Sequence, residues 1–260
     1  MTLFQSPKST RRREQAKIAI TLQRTSLLCL TTEVEDLLDA GSAYAVYLRD
    51  SNRGAAKRLG DVVTLRSETV NPQSEKHRYT TFEYMDLAEV EETLGAIVRY
   101  RQLLGKDIAS NKIRFGYGDI LFAKIRPSID NKKVAYVFQE FENAIASTEF
   151  LVLTPKEEKD TFFIFGALRS DEFNSHVIAS CGGDTGRQRI RPSRLLDLII
   201  PWPAAEIRQS IGKAIGSGFD VLAQALALQE QAIEVAETTL GKTSFQTAKP
   251  RRKMTQRAGA

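Results

Sequence analysis

The chain has 260 residues, 42% apolar and 27% charged, enough for a sizeable core in a soluble globular protein. No contiguous apolar run approaches the ~18 residues of a membrane span, and the basic N-terminus lacks the compact apolar stretch and cleavage site of a signal peptide. Two cysteines, Cys29 and Cys181, exclude a disulfide framework and fit a reducing cytoplasm.

The net charge of +5 conceals an asymmetry. Residues 249–260 carry +5, residues 1–17 carry +4, and the body between them is net −4. A polyanion site in the body must therefore be a confined patch. The basic ends either add salt-sensitive attraction to phosphates or act as disordered solubilising tails.

Residues 1–13 are polar and basic and are expected to be disordered, as is the tail 242–260. Region 14–50 is expected to be helical. Ile18, Leu22, Leu27, Leu28 and Leu30 permit a first helix, and Thr32 with Glu35 forms a capping box before Val34, Leu37, Leu38, Ala45 and Leu48. The Asp50–Gly54 segment marks a boundary. Beyond it, Lys57–Leu65 enters a domain placed at 55–203. Tyr79–Leu87 and Ala96–Tyr100 are strand-like, Ile120–Ile125 and Lys133–Phe138 form a hairpin-like pair, and Ser147–Pro155 adds a further strand. Phe162 to Ile178 has apolar residues at helical spacing and is expected as one core helix. The fold class is accordingly α+β: a small mixed or antiparallel twisted sheet with packed helices, followed by a long C-terminal helix of coiled-coil type.

That helix is expected at 204–241. Ile215, Phe219, Leu222, Leu226, Gln229, Ile233, Ala236 and Leu240 alternate spacings of four and three, which is an a/d seam. The seam packs either on a partner helix, a second copy included, or on helices of this chain. Gly212, Gly216 and Gly218 weaken its first third by propensity.

Catalytic motifs are missing. The sequence has no P-loop, no Gly-x-Gly-x-x-Gly dinucleotide fingerprint, no Asn/Asp-Pro-Pro-aromatic motif and no Pro-Asp…Glu-x-Lys nuclease cluster. His77 and His176 lie far apart without other ligands at metal spacing, so neither a metal nor a cofactor is expected. Gly182-Gly183-Asp184-Thr185-Gly186 is either an anion-binding nest or a simple turn. After it Arg187, Arg189 and Arg191 alternate, and on a strand they would share one face. Guanidinium forks there suit phosphate oxygens and guanine edges, or else pair with carboxylates.

Four blocks stand in order: Gly118-Asp-Ile-Leu-Phe-Ala-Lys-Ile-Arg-Pro127, Ser147-Thr-Glu-Phe-Leu-Val-Leu-Thr-Pro155, Gly186-Arg-Gln-Arg-Ile190, and Leu195-Leu-Asp-Leu-Ile-Ile-Pro-Trp-Pro203 before the long helix. This arrangement resembles the target recognition domain of type I restriction–modification specificity subunits, over roughly 57–240. The resemblance implies a non-catalytic DNA reader followed by a spacer helix. Its implied partners are double-stranded DNA, adenine-N6 methyltransferase subunits and, in the restricting complex, a motor-nuclease subunit. A complete subunit of that family holds two such domains, so this chain resembles a half-length one that could pair with itself through the C-terminal helix. The alternative is a diverged or truncated relative that acts in assembly or regulation through its helix. The expected DNA contacts are Lys124, Arg126, Lys132, Lys133, Thr185, Gly186, Arg187, Gln188, Arg189 and Arg191, and the expected location is cytoplasmic.

Overall fold

The structure, a computed structural model, describes residues 55–183 and 188–240. The expected helices of region 14–50, the two basic ends, and Thr185, Gly186 and Arg187 lie outside the described residues.

Strands are numbered in chain order: β1 Ala56–Arg58, β2 Val63–Arg66, β3 Thr69–Val70, β4 Thr81–Met85, β5 Val90–Glu91, β6 Ala96–Ile97, β7 Arg101–Leu104, β8 Lys112–Arg114, β9 Ile120–Ala123, β10 Val134–Tyr136, β11 Ala144–Ala146, β12 Phe150–Pro155 and β13 Ile199–Pro201. The helices are α1 Leu59–Val62, α2 Thr161–Arg169, α3 Asp171–Ala179, α4 Pro192–Asp197 and α5 Ala205–Leu240. The class is α+β as expected, but the strands are divided among sheets. A six-stranded sheet has the order β2-β12-β9-β10-β6-β5, a five-stranded sheet the order β3-β8-β11-β4-β7, and β1 pairs with β13. Both larger sheets are mixed, because β10 runs parallel to β6 and β11 parallel to β4 while their other pairs are antiparallel.

The reason β9 can be apolar throughout is that both of its faces are covered. Leu121 and Ala123 point one way, into a core shared with Met85, Ile113, Ala144 and Ala146 of the five-stranded sheet. Phe122 points the other way and meets the ring of Phe173 on α3 at 6.5 Å. Full burial of side chains of this size contributes about 1.5–3 kcal/mol each. The far face of the five-stranded sheet has its own cluster, Val70, Phe82, Tyr84, Ile108 and Ile145.

The single helix expected from Phe162 to Ile178 is two. Ser170 has extended backbone (φ −65°, ψ 149°), and its hydroxyl accepts from the Phe173 amide at 3.2 Å, so it caps α3. The following Asp171 and Glu172 lie in the first turn, where carboxylates favour a helix start.

The first part of α5 is docked rather than free. Phe219 meets Tyr136, Phe138, Phe162 and Phe165 at centroid distances of 5.0, 5.5, 5.8 and 5.4 Å. Gly216, which propensity marks as a weak point, is one of two glycines that allow this approach. A Cβ on Gly216 would lie 2.8 Å from the Phe162 ring, and one on Gly166 of α2 would lie 2.7 Å from Ile215 Cδ1. Ile215, Phe219 and Leu222 are buried, which corrects the expectation that these three belong to a partner seam. In the first turn of the helix, Arg208 (11% exposed) pairs with Asp160 (4% exposed) at 2.9 Å. The Arg208 guanidinium stacks 4.4 Å from the Trp202 ring centre and donates to the Pro203 carbonyl.

Contacts divide the chain into two compact units, 1–223 and 224–260. In the second unit the described positions from Ala227 to Thr239 are exposed, Leu228, Ile233 and Val235 by 53%, 51% and 64%. One window of α5 within Ala205–Thr239 has a mean hydropathy of 1.2, long and apolar enough to cross a membrane by length and composition alone.

Candidate nucleic-acid interface

Where β9 ends, the chain continues through Lys124 and Ile125 into a turn at Arg126, and the segment after the Gly loop lies alongside it. The Arg126 amide donates to the Gln188 carbonyl and the Ile190 amide to the Lys124 carbonyl, both at 3.0 Å. On the outer side of the segment, Gly182 and Arg189 exchange two backbone bonds of 3.0 and 2.9 Å. On the inner side, the Lys124 amide donates to Glu149 O at 2.9 Å. The ends of β9 and β12 and both flanks of the Gly loop are thereby joined. Gly183 has φ 113°, a conformation that side chains disfavour, so glycine is needed at this turn. Ile190, 1% exposed, anchors the segment in the core.

Cations gather at this corner, and carboxylates fix them. Arg189 donates through Nε to Glu149 Oε2 at 3.1 Å and through Nη2 to Oε1 at 2.9 Å, a two-point fork. The hydrogen bond from Arg189 holds the Glu149 carboxyl below its ordinary range, and the same bond raises the Arg189 guanidinium further. Arg126 donates through Nε to both oxygens of Asp130, at 2.9 and 3.0 Å, and through Nη1 to Gln188 Oε1 at 2.8 Å. Its pKa is raised, mainly by the Asp130 bond. Lys124 sits within electrostatic reach of Glu149. Arg191 is exposed at the N-cap of α4, and Arg194 is exposed one turn later.

The structure thus brings Lys124, Arg126, Gln188, Arg189 and Arg191 together. It corrects the expectation of one basic strand face, because Arg189 forms only isolated bridges and turns to Glu149, while Arg191 starts a helix. Lys132 and Lys133 have other ties. Lys132 pairs with Asp171 at the start of α3, and Lys133 donates to the Leu87 carbonyl and pairs with Glu92. Both brace the β9–β10 turn. Sequence reasoning passed over Asp130 and Glu149. Asp130 carried a visible signal, since it stands four residues after Arg126, whereas Glu149 is forty residues from its partner and carried none.

Residues 55–238 match the family model of the type I restriction modification DNA specificity domain. The chain belongs to this family. Domains of this family are non-catalytic and serve DNA recognition in restriction systems. The structure is similar to the crystal structure of the HsdS subunit from Thermoanaerobacter tengcongensis, with 25% identity and a TM-score of 0.53 over 73% of this chain and 48% of that one. It is equally similar (25%, TM-score 0.53) to a chain from a study of complex assembly and conformational transition of the type I R-M system, over 78% and 51%. The S subunit from M. genitalium shares the fold, at 16% identity and a TM-score of 0.52 over 88% of this chain and 59% of that one. The chain spans about half the length of the first two of these structures. No curated protein matches it.

Proposed function

We propose that the chain is the sequence-reading DNA-binding module of a type I restriction–modification complex, directing separate adenine-N6 methyltransferase subunits and, in the restricting form, a motor-nuclease subunit. The cytoplasm, where such DNA is met, is its proposed location. The observation that supports this most is the corner at the end of β9. Cations from two distant segments converge there on a body that is otherwise net acidic, and carboxylates hold two of the guanidiniums at fixed angles. Fixed forks cost less ordering on binding than free side chains do. Most of these cations are assigned to phosphates and a minority to base edges.

Replacing Arg189 and Arg191 together by alanine is expected to weaken binding to a duplex by at least about tenfold at moderate salt. The slope of log affinity against log salt should also fall by about 0.9 for each phosphate that is no longer neutralised. An unchanged affinity, with the melting temperature intact, would remove DNA binding from this corner.

A second reading rests on α5 beyond Ala223, where Leu226 is half-buried and Ile233 exposed on the seam. This stretch is assigned to helix pairing, with methyltransferase subunits or with a second copy of the chain. Sedimentation of the Leu226→Asp, Ile233→Asp double variant tests the second arrangement. A wild-type chain that sediments as a dimer should become a monomer, and equal masses would rule out pairing through these residues.

A further inference from the structure

Gln188 is the one neutral member of the cluster, and its amide is held by one end. Its Oε1 accepts from Arg126 Nη1 at 2.8 Å, and Arg126 is itself held by both oxygens of Asp130. The Gln188 backbone is pinned to the same residue, through its carbonyl and the Arg126 amide at 3.0 Å. Among the described residues its Nε2 makes no hydrogen bond, and the side chain is half-buried rather than swung free. The chain Asp130–Arg126–Gln188 therefore engages the oxygen of the amide and leaves its two N–H donors for a ligand.

That polarity decides what the residue can read. A free glutamine or asparagine grips adenine in the major groove with both ends, accepting from N6 and donating to N7. With Oε1 already accepting from a charged donor, the donating half is the part left wholly uncommitted. Two donors match the N7 and O6 of guanine or the O4 of thymine, whereas adenine sets its N6 amino group beside N7 against the second N–H, and cytosine offers only its N4 amino group. The neighbouring cations are placed for other work: Arg189 is forked onto Glu149, and Arg191 is exposed at a helix start. Resting on the DNA-binding reading given above, we infer that Gln188 is a specificity-determining residue that reads one base pair as a hydrogen-bond donor, selecting guanine or thymine through an orientation imposed by Arg126 and Asp130.

The test is selection of duplexes from a library with a randomised central stretch, using the full chain and its Gln188→Ala and Gln188→Glu variants, with bound duplexes sequenced. The wild type should enrich a motif containing one position held to guanine or thymine by roughly 5- to 100-fold. Gln188→Ala should flatten that position alone and leave the rest of the motif. Gln188→Glu still pairs with Arg126 but presents only acceptors, so the preference there should turn to cytosine or adenine. A motif that neither variant alters, a loss of preference spread evenly over all positions, or a guanine or thymine preference kept by Gln188→Glu would each overturn the inference while leaving DNA reading intact. If the wild type enriches no motif, the DNA-reading function itself fails.

Discussion

Phe219→Ala is expected to lower the unfolding free energy by about 3–5 kcal/mol, the range for removing a large aromatic side chain from a packed core. The ring is 3% exposed and is surrounded by four other aromatic rings from β10, its trailing residue Phe138, and α2. The surroundings cannot readily close over the gap. The Gly216 contact sets α5 against Phe162 at near-minimum distance, and Tyr136 and Phe165 are fixed by the sheet and helix that carry them. Urea unfolding followed by circular dichroism gives the number. A loss below about 1 kcal/mol would mean that the cavity collapses freely or that α5 is not part of the cooperative unit. The complementary change, Gly216→Ala, overfills the same contact and should cost about 1–3 kcal/mol.

The second large effect concerns Arg208. Replacing it alone by methionine leaves Asp160 as a buried carboxylate without its ion partner, which typically costs about 3–5 kcal/mol. The change also removes a bond to the Pro203 carbonyl and a cation from the face of Trp202. Replacing both partners, Arg208→Met with Asp160→Leu, should recover much of that loss, because a well-packed apolar pair avoids the desolvation that the ion pair must offset. Trp202 is the chain's only tryptophan, so its fluorescence reports on this junction. Equal destabilisation by the single and double variants would show that the ion pair is not what holds the start of α5.

Much of this fold could be read from local chemistry. Ile120–Ala123 and Val134–Tyr136 declared themselves through apolar runs bounded by Gly118, Pro127 and Asp130, and the long helix through its seam. The failures share a cause. Ser170 was hidden inside an apolar helical period, although a serine followed by two acids is a start signal; periodicity alone does not register the break. Gly166 and Gly216 lower helix propensity, and only the tertiary contacts with Ile215 and Phe162 explain their use. At the candidate site the cationic residues were legible as a group. Their orientations were not, because Glu149 and Asp130 set them, and Glu149 reaches Arg189 only through the fold. The alternation at 189 and 191 suggested a strand, but a segment with only isolated bridges does not impose a two-residue period on its side chains.

The close packing of α5 on α2 also bears on how such a module could be exchanged between proteins. A graft cut at Pro203, where the sheet ends and the helix is about to begin, would leave behind Ile215, Phe219 and Leu222 and open the aromatic cluster to water. The transplantable piece must run through Leu222, and its recipient must accept a junction in mid-helix, chosen by heptad register and not by loop position.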